Sequence, residues 1–246
     1  MRYFDNYLEL DKLGVKHNTN KASTCVHNEL GKIERLSLLQ RYEFFLNPLI
    51  AKRSPFSMLE LGAGVEPDIG ASIKMWRDFL PSSSSIVVAD IKPGVAEVMK
   101  GVADVVIGDL TYPDPHKICE SHGPYDFILD DASHFWQHQI NSFRWLWGSL
   151  NSGGLFIVED VHVCFQNYRD KFSLGMDQKD SVSFFGALAR ARSRFRDPNS
   201  RNEGQWNDFD KALIREIYHL TDKDFEIVKT IDFIAFLGQS IAIVKM

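Results

Sequence analysis

The chain predicts an α/β fold: a doubly wound, seven-stranded, mostly parallel sheet with an antiparallel pair of C-terminal strands and helices on both faces. Three observations carry that prediction. Five nearly continuous apolar runs, SMLELG (57–62), SIVVAD (85–90), ADVVIGD (103–109), YDFILDD (125–131) and GLFIVED (154–160), suit strands covered on both faces. Helical stretches alternate with them, as parallel strands require for their crossovers. The last runs, FEIVKTIDFIAFLG and SIAIVKM, are close enough to pair antiparallel at the sheet edge.

Taken in order, the N-terminal part holds MRYFDNYLELDKL, acidic and amphipathic, then polar HNTNKAST and a predicted helix, GKIERLSLLQRYEFFLNPL. Lys52-Arg53-Ser54-Pro55 punctuates the entry to the sheet, so residues 1–54 form a helical cap or substrate-binding segment and 55–246 the Rossmann-like domain. The crossover helices are ASIKMWRDFL (71–80), PGVAEVMKG (93–101), PDPHKICESH (113–122) and WQHQINSFRWLWGSL (136–150). In the last, Phe143, Trp147 and Leu150 recur at helical spacing before a Ser152-Gly153-Gly154 turn. Beyond 160 come a helix SVSFFGALARARSRF, a polar break at 196–206 and a second helix DFDKALIREIYHL. The 165–210 segment is expected to be a lid.

Composition narrows the function. A chain of 246 residues, 44% hydrophobic, supports the core of one α/β domain. A net charge of −5 lacks the basic footprint of nucleic-acid or anionic-membrane binding, so neither partner is expected. Cys25, Cys119 and Cys164 are odd in number and far apart, which speaks against a disulfide framework or thiolate metal site and for a reducing cytoplasm. The N-terminus has no apolar signal core, and no apolar run reaches membrane-helix length.

LELGAGVEPDIG sets Glu60, Gly62 and Gly64 directly after the first strand, where glycine lets the backbone turn tightly and approach a ligand. A dinucleotide loop would need glycine where Pro67 stands, and the acid Glu60 is ill placed for a pyrophosphate. S-adenosylmethionine, cationic at its sulfonium and free of phosphate, fits better. Asp90 ends the second strand, where an acid accepts hydrogen bonds from ribose hydroxyls, and Asp109 ends the third as Gly108-Asp109, near an adenine edge. Singly, each acid could equally cap a helix or sit in a solvated loop. Their recurrence at successive strand ends is the signal.

The runs FILDDASH and LFIVEDVH each end in paired acids, and the first adds a histidine. Adjacent strands would deliver Asp131, His134, Glu159 and Asp160 to one sheet edge, where hard oxygens suit Mg2+ and an imidazole can take a proton. Alternatively His134 starts a helix and bonds Asp131 or a backbone group. Glu159 and Asp160 alternate faces on a regular strand, so joint coordination requires the strand to end there. Otherwise one binds metal while the other caps a helix.

LELGAG, VVAD, IGDL, LDDASH and IVED together resemble a class I S-adenosylmethionine-dependent methyltransferase. DDASH followed by VED is similar to the metal-dependent sugar O-methyltransferases of macrolide and calicheamicin-type antibiotic pathways. The resemblance extends to HNTNKAS, YEFFLNPL and GASIKMWRDFLP, covering residues 15 to 165 or so. It implies Asp131, Glu159 and Asp160 as magnesium ligands, His134 as general base, and Glu60, Gly62, Asp90, Asp109 and Asp130 around S-adenosylmethionine. VEPDIG lengthens the loop after Gly64, and Asn20 stands where the family pattern suggests an acid.

The expected reaction is methyl transfer to a sugar hydroxyl of a glycosylated natural product or nucleotide-linked sugar, activated by Mg2+, with His134 removing the proton. A catechol or other vicinal diol could use the same chemistry, and a non-catalytic S-adenosylmethionine-binding protein is the alternative of another class. His138 and His162 are further pocket candidates. Arg190, Arg192, Arg194 and Arg196 form either a solvated face or a lid over an anionic substrate, Trp145 and Trp147 read as core or subunit contacts, and Trp136 and Trp206 read as pocket aromatics. Aromatic-rich termini and the resemblance together lead us to expect a homo-oligomer.

Overall fold

The computed structural model describes residues 6–27, 31–34, 38–65, 68–174, 180–195, 212–213, 215–216 and 219–246. The polar break 196–206 with Trp206, Pro67 and most of the predicted helix at 208–220 lie outside them. The chain divides into two compact units, Met1–Ala132 and Ser133–Met246.

In the first unit, α1 (Glu9–Lys16) leads to a hairpin of β1 (Thr24–His27) and β2 (Gly31–Glu34), then α2 (Leu39–Ile50). The predicted helix over GKIERLSLL is therefore corrected: its first part is a strand that begins at Gly31, at φ +70°, and the helix starts only at Leu39. Parallel strands follow, β3 (Ser57–Leu61), β4 (Ser85–Asp90), β5 (Asp104–Ile107) and β6 (Tyr125–Asp130), with α3 (Ala71–Phe79), α4 (Val95–Val98) and α5 (Pro113–His122) between them. The register pairs Leu61 with both Ala89 and Asp130, and Asp90 with Ile107, so the carboxyl ends of these strands align. Fully buried Leu59, Val88, Trp76 and Phe127 form core, the two aromatics meeting edge to face at 5.5 Å. Arg53 bonds Asp126, which also accepts the Ser57 N–H at 3.0 Å, fixing the entry to β3.

In the second unit, α6 (Trp136–Leu146) ends four residues before the predicted Leu150, and β7 runs Leu150–Val158 straight through Ser152-Gly153-Gly154. Gly153 sits at φ +72°, and a side chain on Gly154 would meet the Asn151 carbonyl at 2.8 Å. Lys245 Nζ donates to the carbonyls of Trp147 and Leu150, tying β9 to the segment that joins α6 to β7. After α7 (Arg169–Phe172) and α8 (Ser181–Phe195), α9 (Asp222–Thr230) takes the FEIVKT stretch expected to begin a strand. Thr221 and Asp224 form a capping box there, and buried Phe225 and Val228 follow helical spacing. Then β8 (Ile231–Phe236) and β9 (Ile241–Lys245) pair antiparallel, with β9 antiparallel to β7.

Strand order across the sheet is β5-β4-β3-β6-β7-β9-β8, and its seven strands with β9 reversed are as predicted. The three cysteines are free and buried, and burial pushes the Cys119 and Cys164 thiols up to about 12 and about 11. Among the described residues no helix is long and apolar enough to cross a membrane.

Candidate active site

The glycine turn after β3 is shaped by the protein itself. Gly62 lies at φ +93°, its N–H bonded to the Ala89 carbonyl, and a Cβ there would stand 2.3 Å from the Asp131 carbonyl oxygen. The Asp131 N–H in turn donates to the Leu61 carbonyl at 2.9 Å, so the loops after β3 and β6 lie backbone against backbone. Gly64 is also left-handed, at φ +88°, and a Cβ there would meet only the Asp68 carbonyl oxygen, at an ordinary 3.6 Å.

Asp90 is buried and accepts the N–H of Ala63 at 2.8 Å and of Lys92 at 2.8 Å, tying the glycine turn to the end of β4. Asp109 is exposed and accepts the N–H of Thr111 at 2.9 Å and the hydroxyl of the same residue. Asp130 is buried, the Ala132 N–H reaching its Oδ1 at 3.4 Å.

Glu60 is fully buried. It accepts hydrogen bonds from Ser72 Oγ at 2.6 Å and Trp76 Nε1 at 2.7 Å, both on α3. Burial pushes its carboxyl up to about 7, against the opposing pull of Lys21 and these hydrogen bonds.

Lys21, only 2% exposed, stands 4.0 Å from Glu60 Oε1 and hydrogen-bonds Asp131 Oδ2. It was not singled out from the sequence, where the one available signal is its place in HNTNKAS. The turn that delivers it is braced by Asn18, at φ +58°, whose side chain bonds both the N–H and the carbonyl of Val26.

In the second unit β7 stops at Val158, which meets the condition for Glu159 and Asp160 to leave their alternating faces. Asp160 takes the left-handed conformation at φ +55°, as does His134 at φ +59°. Non-glycine residues seldom occupy that region, and such residues cluster at functional sites. His134 Nε2 lies 3.5 Å from Asp160 Oδ2, and His162 Nδ1 lies 3.6 Å from Asp160 Oδ1, so one carboxylate stands between two imidazoles. Among the described residues His134 Nδ1 is buried without a hydrogen bond. Glu159 is 2% exposed, and its carbonyl accepts Gln139 Nε2 at 2.8 Å. Gln139 Oε1 accepts the fully buried Ser181 hydroxyl at 2.5 Å, so α6 and α8 together hold the turn.

His138 Nδ1 is 2.7 Å from Ser133 Oγ, and its ring packs on Phe135. Trp136, predicted as a pocket aromatic, is instead core: 1% exposed, packed against Val163 and Cys164, with the Arg169 guanidinium 5.3 Å from its ring centroid. An indole beginning α6 is driven inward by the apolar turn after Asp160. Arg192 fits neither the solvated face nor the lid. It is buried, with Nη2 3.0 Å from Met246 Sδ.

No family model matches this chain. The 8-demethyl-8-(2-methoxy-alpha-L-rhamnosyl)-tetracenomycin-C 3'-O-methyltransferase of Streptomyces olivaceus is 34% identical over 180 residues, 67% of this chain and 43% of that protein. The L-olivosyl-oleandolide 3-O-methyltransferase of Streptomyces antibioticus is 30% identical over 116 residues, 44% of this chain and 28% of that one. The chain thus spans less than half the length of these curated relatives. Among solved structures, the methyltransferase MycE of mycinamycin biosynthesis, in complex with Mg, SAH and Mycinamycin VI, superposes at a TM-score of 0.70 and 20% identity, over 96% of this chain and 53% of that one. The chain therefore has the class I methyltransferase fold and is a sequence relative of the sugar O-methyltransferases of antibiotic pathways.

Proposed function

We propose that the protein transfers a methyl group from S-adenosylmethionine to a sugar hydroxyl of a glycosylated natural product or nucleotide-linked sugar. The observation that carries this reading is the pair His134 and Asp160, both in the left-handed region with Nε2 and Oδ2 3.5 Å apart, in a relative of sugar O-methyltransferases. Gly62, Gly64, Asp90, Asp109 and Asp130 border the cofactor. Asp90 offers its carboxylate to the ribose hydroxyls and Asp109 lies at the adenine edge, while Glu60 supports the turn from below by anchoring α3.

Asp131, His134 and Asp160 each offer one ligand atom of the kind a cation site uses. The half-buried carboxylates of Asp131 and Asp160 are hard donors that suit Mg2+, and Glu159, buried and outside that group of ligand atoms, is the third acid assigned to the metal. Bound there, Mg2+ supplies Lewis acidity that lowers the pKa of a sugar hydroxyl. His134 receives the hydroxyl proton at its imidazole as the oxygen attacks the sulfonium methyl. His162, against the other oxygen of Asp160, steadies that carboxylate. Residues 1–54 act as the cap or acceptor-binding segment, in a homo-oligomer of cytoplasmic location; within the expected lid at 165–210, α8 packs as core through Phe185 and Leu188, and 175–179 and 196–210 lie outside the described residues.

The test is incubation with S-adenosylmethionine and Mg2+ over a panel of rhamnosides, nucleotide-linked deoxysugars and catechols, with mass-spectrometric detection of an added methyl group. Transfer to a glycoside supports the proposal. Transfer to catechols alone reassigns the acceptor, and a protein that binds neither S-adenosylmethionine nor S-adenosylhomocysteine overturns the reading.

A further inference from the structure

Lys21 is a buried cation that the mechanism leaves unused. Lys21 is 2% exposed, and a lysine seldom occupies such a position unless it is paired. Its ammonium hydrogen-bonds Asp131 Oδ2 and stands 4.0 Å from Glu60 Oε1. Glu60 itself is fully buried beneath the glycine turn. One positive charge thus faces two carboxylates, one on β3 just before the glycine turn and one assigned to the metal.

We propose that Lys21 is a positioning residue for Asp131: a built-in counter-cation that holds its carboxylate in place and weakens its attraction for a divalent ion. This inference rests on the metal reading above. Asp131, half-buried, must be held near a fully buried acid, and two such neighbouring carboxylates repel unless a cation lies between them. Lys21 supplies that cation. It engages one oxygen of Asp131, and among the described residues nothing else hydrogen-bonds that side chain, so the other oxygen stays available to a metal. The cation that orients the ligand also opposes a second cation, so the site binds metal more weakly than its acids alone would.

A lysine that served packing alone would, on removal, lower stability and loosen the metal. A counter-cation does the reverse at the metal. The test is titration of manganese(II), as a paramagnetic substitute, into the full chain without S-adenosylmethionine, for wild type, Lys21→Met and Lys21→Arg. We expect Lys21→Met to bind manganese about tenfold tighter or better, because a full charge beside the ligand is gone. Lys21→Arg, which keeps the charge, should stay within about threefold of wild type. In Lys21→Met, manganese should also raise the thermal midpoint by more than it does in wild type. Should Lys21→Met fail to fold, the double variant Lys21→Met/Glu60→Gln, which also removes the buried acid, is compared with Glu60→Gln and should show the same tightening. Equal or weaker manganese binding after loss of the lysine overturns the inference while leaving the metal reading intact. A wild type that binds no manganese overturns the metal reading, and this inference with it.

Discussion

Replacing Gly62 with alanine is the perturbation whose consequence the structure states most quantitatively. Two costs add. At φ +93° an L side chain is strained, at about 1–3 kcal/mol. The new methyl group would also lie 2.3 Å from the Asp131 carbonyl oxygen and 2.9 Å from the Ala132 Cα. Restoring even a tight 3.0 Å contact requires that carbonyl to move by about 0.7 Å, and overpacking of that kind costs about 1–3 kcal/mol more. The same movement displaces a proposed metal ligand, where an error near 1 Å costs about a hundredfold in rate. Gly64→Ala is the internal control. It has nearly the same strain, at φ +88°, but its nearest neighbour is Asp68 O at 3.6 Å. Thermal unfolding and methyl-transfer rates should therefore separate the two. Gly62→Ala should lose about 2–6 kcal/mol and about 100-fold in kcat, and Gly64→Ala only about 1–3 kcal/mol. Equal thermal midpoints and equal kcat for the two variants would refute the argument that this glycine exists to admit the Asp131 backbone.

Three further outcomes are expected. His134→Gln should lower kcat by about 10²–10⁴-fold while leaving calorimetric S-adenosylhomocysteine binding unchanged, since the loss is of a proton acceptor and not of the cofactor site. Arg144→Ala strands the fully buried Asp224 carboxylate, which Arg144 Nε and Nη2 reach at 2.7 Å each; denaturant unfolding should show a loss of about 3–5 kcal/mol. Glu60 gives a pH signature: its carboxyl is raised from 4.5 to about 7 in the folded chain, so the native state binds its proton more tightly than the unfolded state. Its contribution to stability is full below about pH 4.5 and is lost as pH rises through about 7. Thermal midpoints measured across that window should fall for wild type relative to Glu60→Gln.

The sheet was legible because parallel strands buried on both faces leave apolar runs that few other elements leave. SIVVAD became β4 residue for residue. What failed were places where one apolar run serves two elements. FEIVKTIDFIAFLG reads as a strand throughout, yet Thr221 caps its first half into a helix, and the strand begins only at Ile231. The helix read over GKIERLSLLQRYEFFLNPL yields its start to a hairpin, because backbone pairing across Gly31 outweighs local periodicity. The acids at strand ends were visible as motifs, since each lies a fixed distance from a strand. Lys21 was not, because its pairing with Asp131 spans 110 residues, and nothing local marks a lysine as buried. His162 was noticed, but only the fold brings it to the Asp160 oxygen that His134 does not face. Trp136 was misread for the same reason: adjacency to His134 in sequence does not say which face of the turn an indole takes.

The proposed reaction is metal-dependent methyl transfer. The measurement that tests it most directly is turnover of a glycoside acceptor by EDTA-stripped protein as Mg2+ is added back, for wild type and Asp160→Asn. Without metal no turnover is expected, with saturable recovery in wild type and at least a tenfold higher half-saturating Mg2+ in Asp160→Asn. Full turnover by wild type in EDTA, or an unchanged metal requirement in Asp160→Asn, would contradict it.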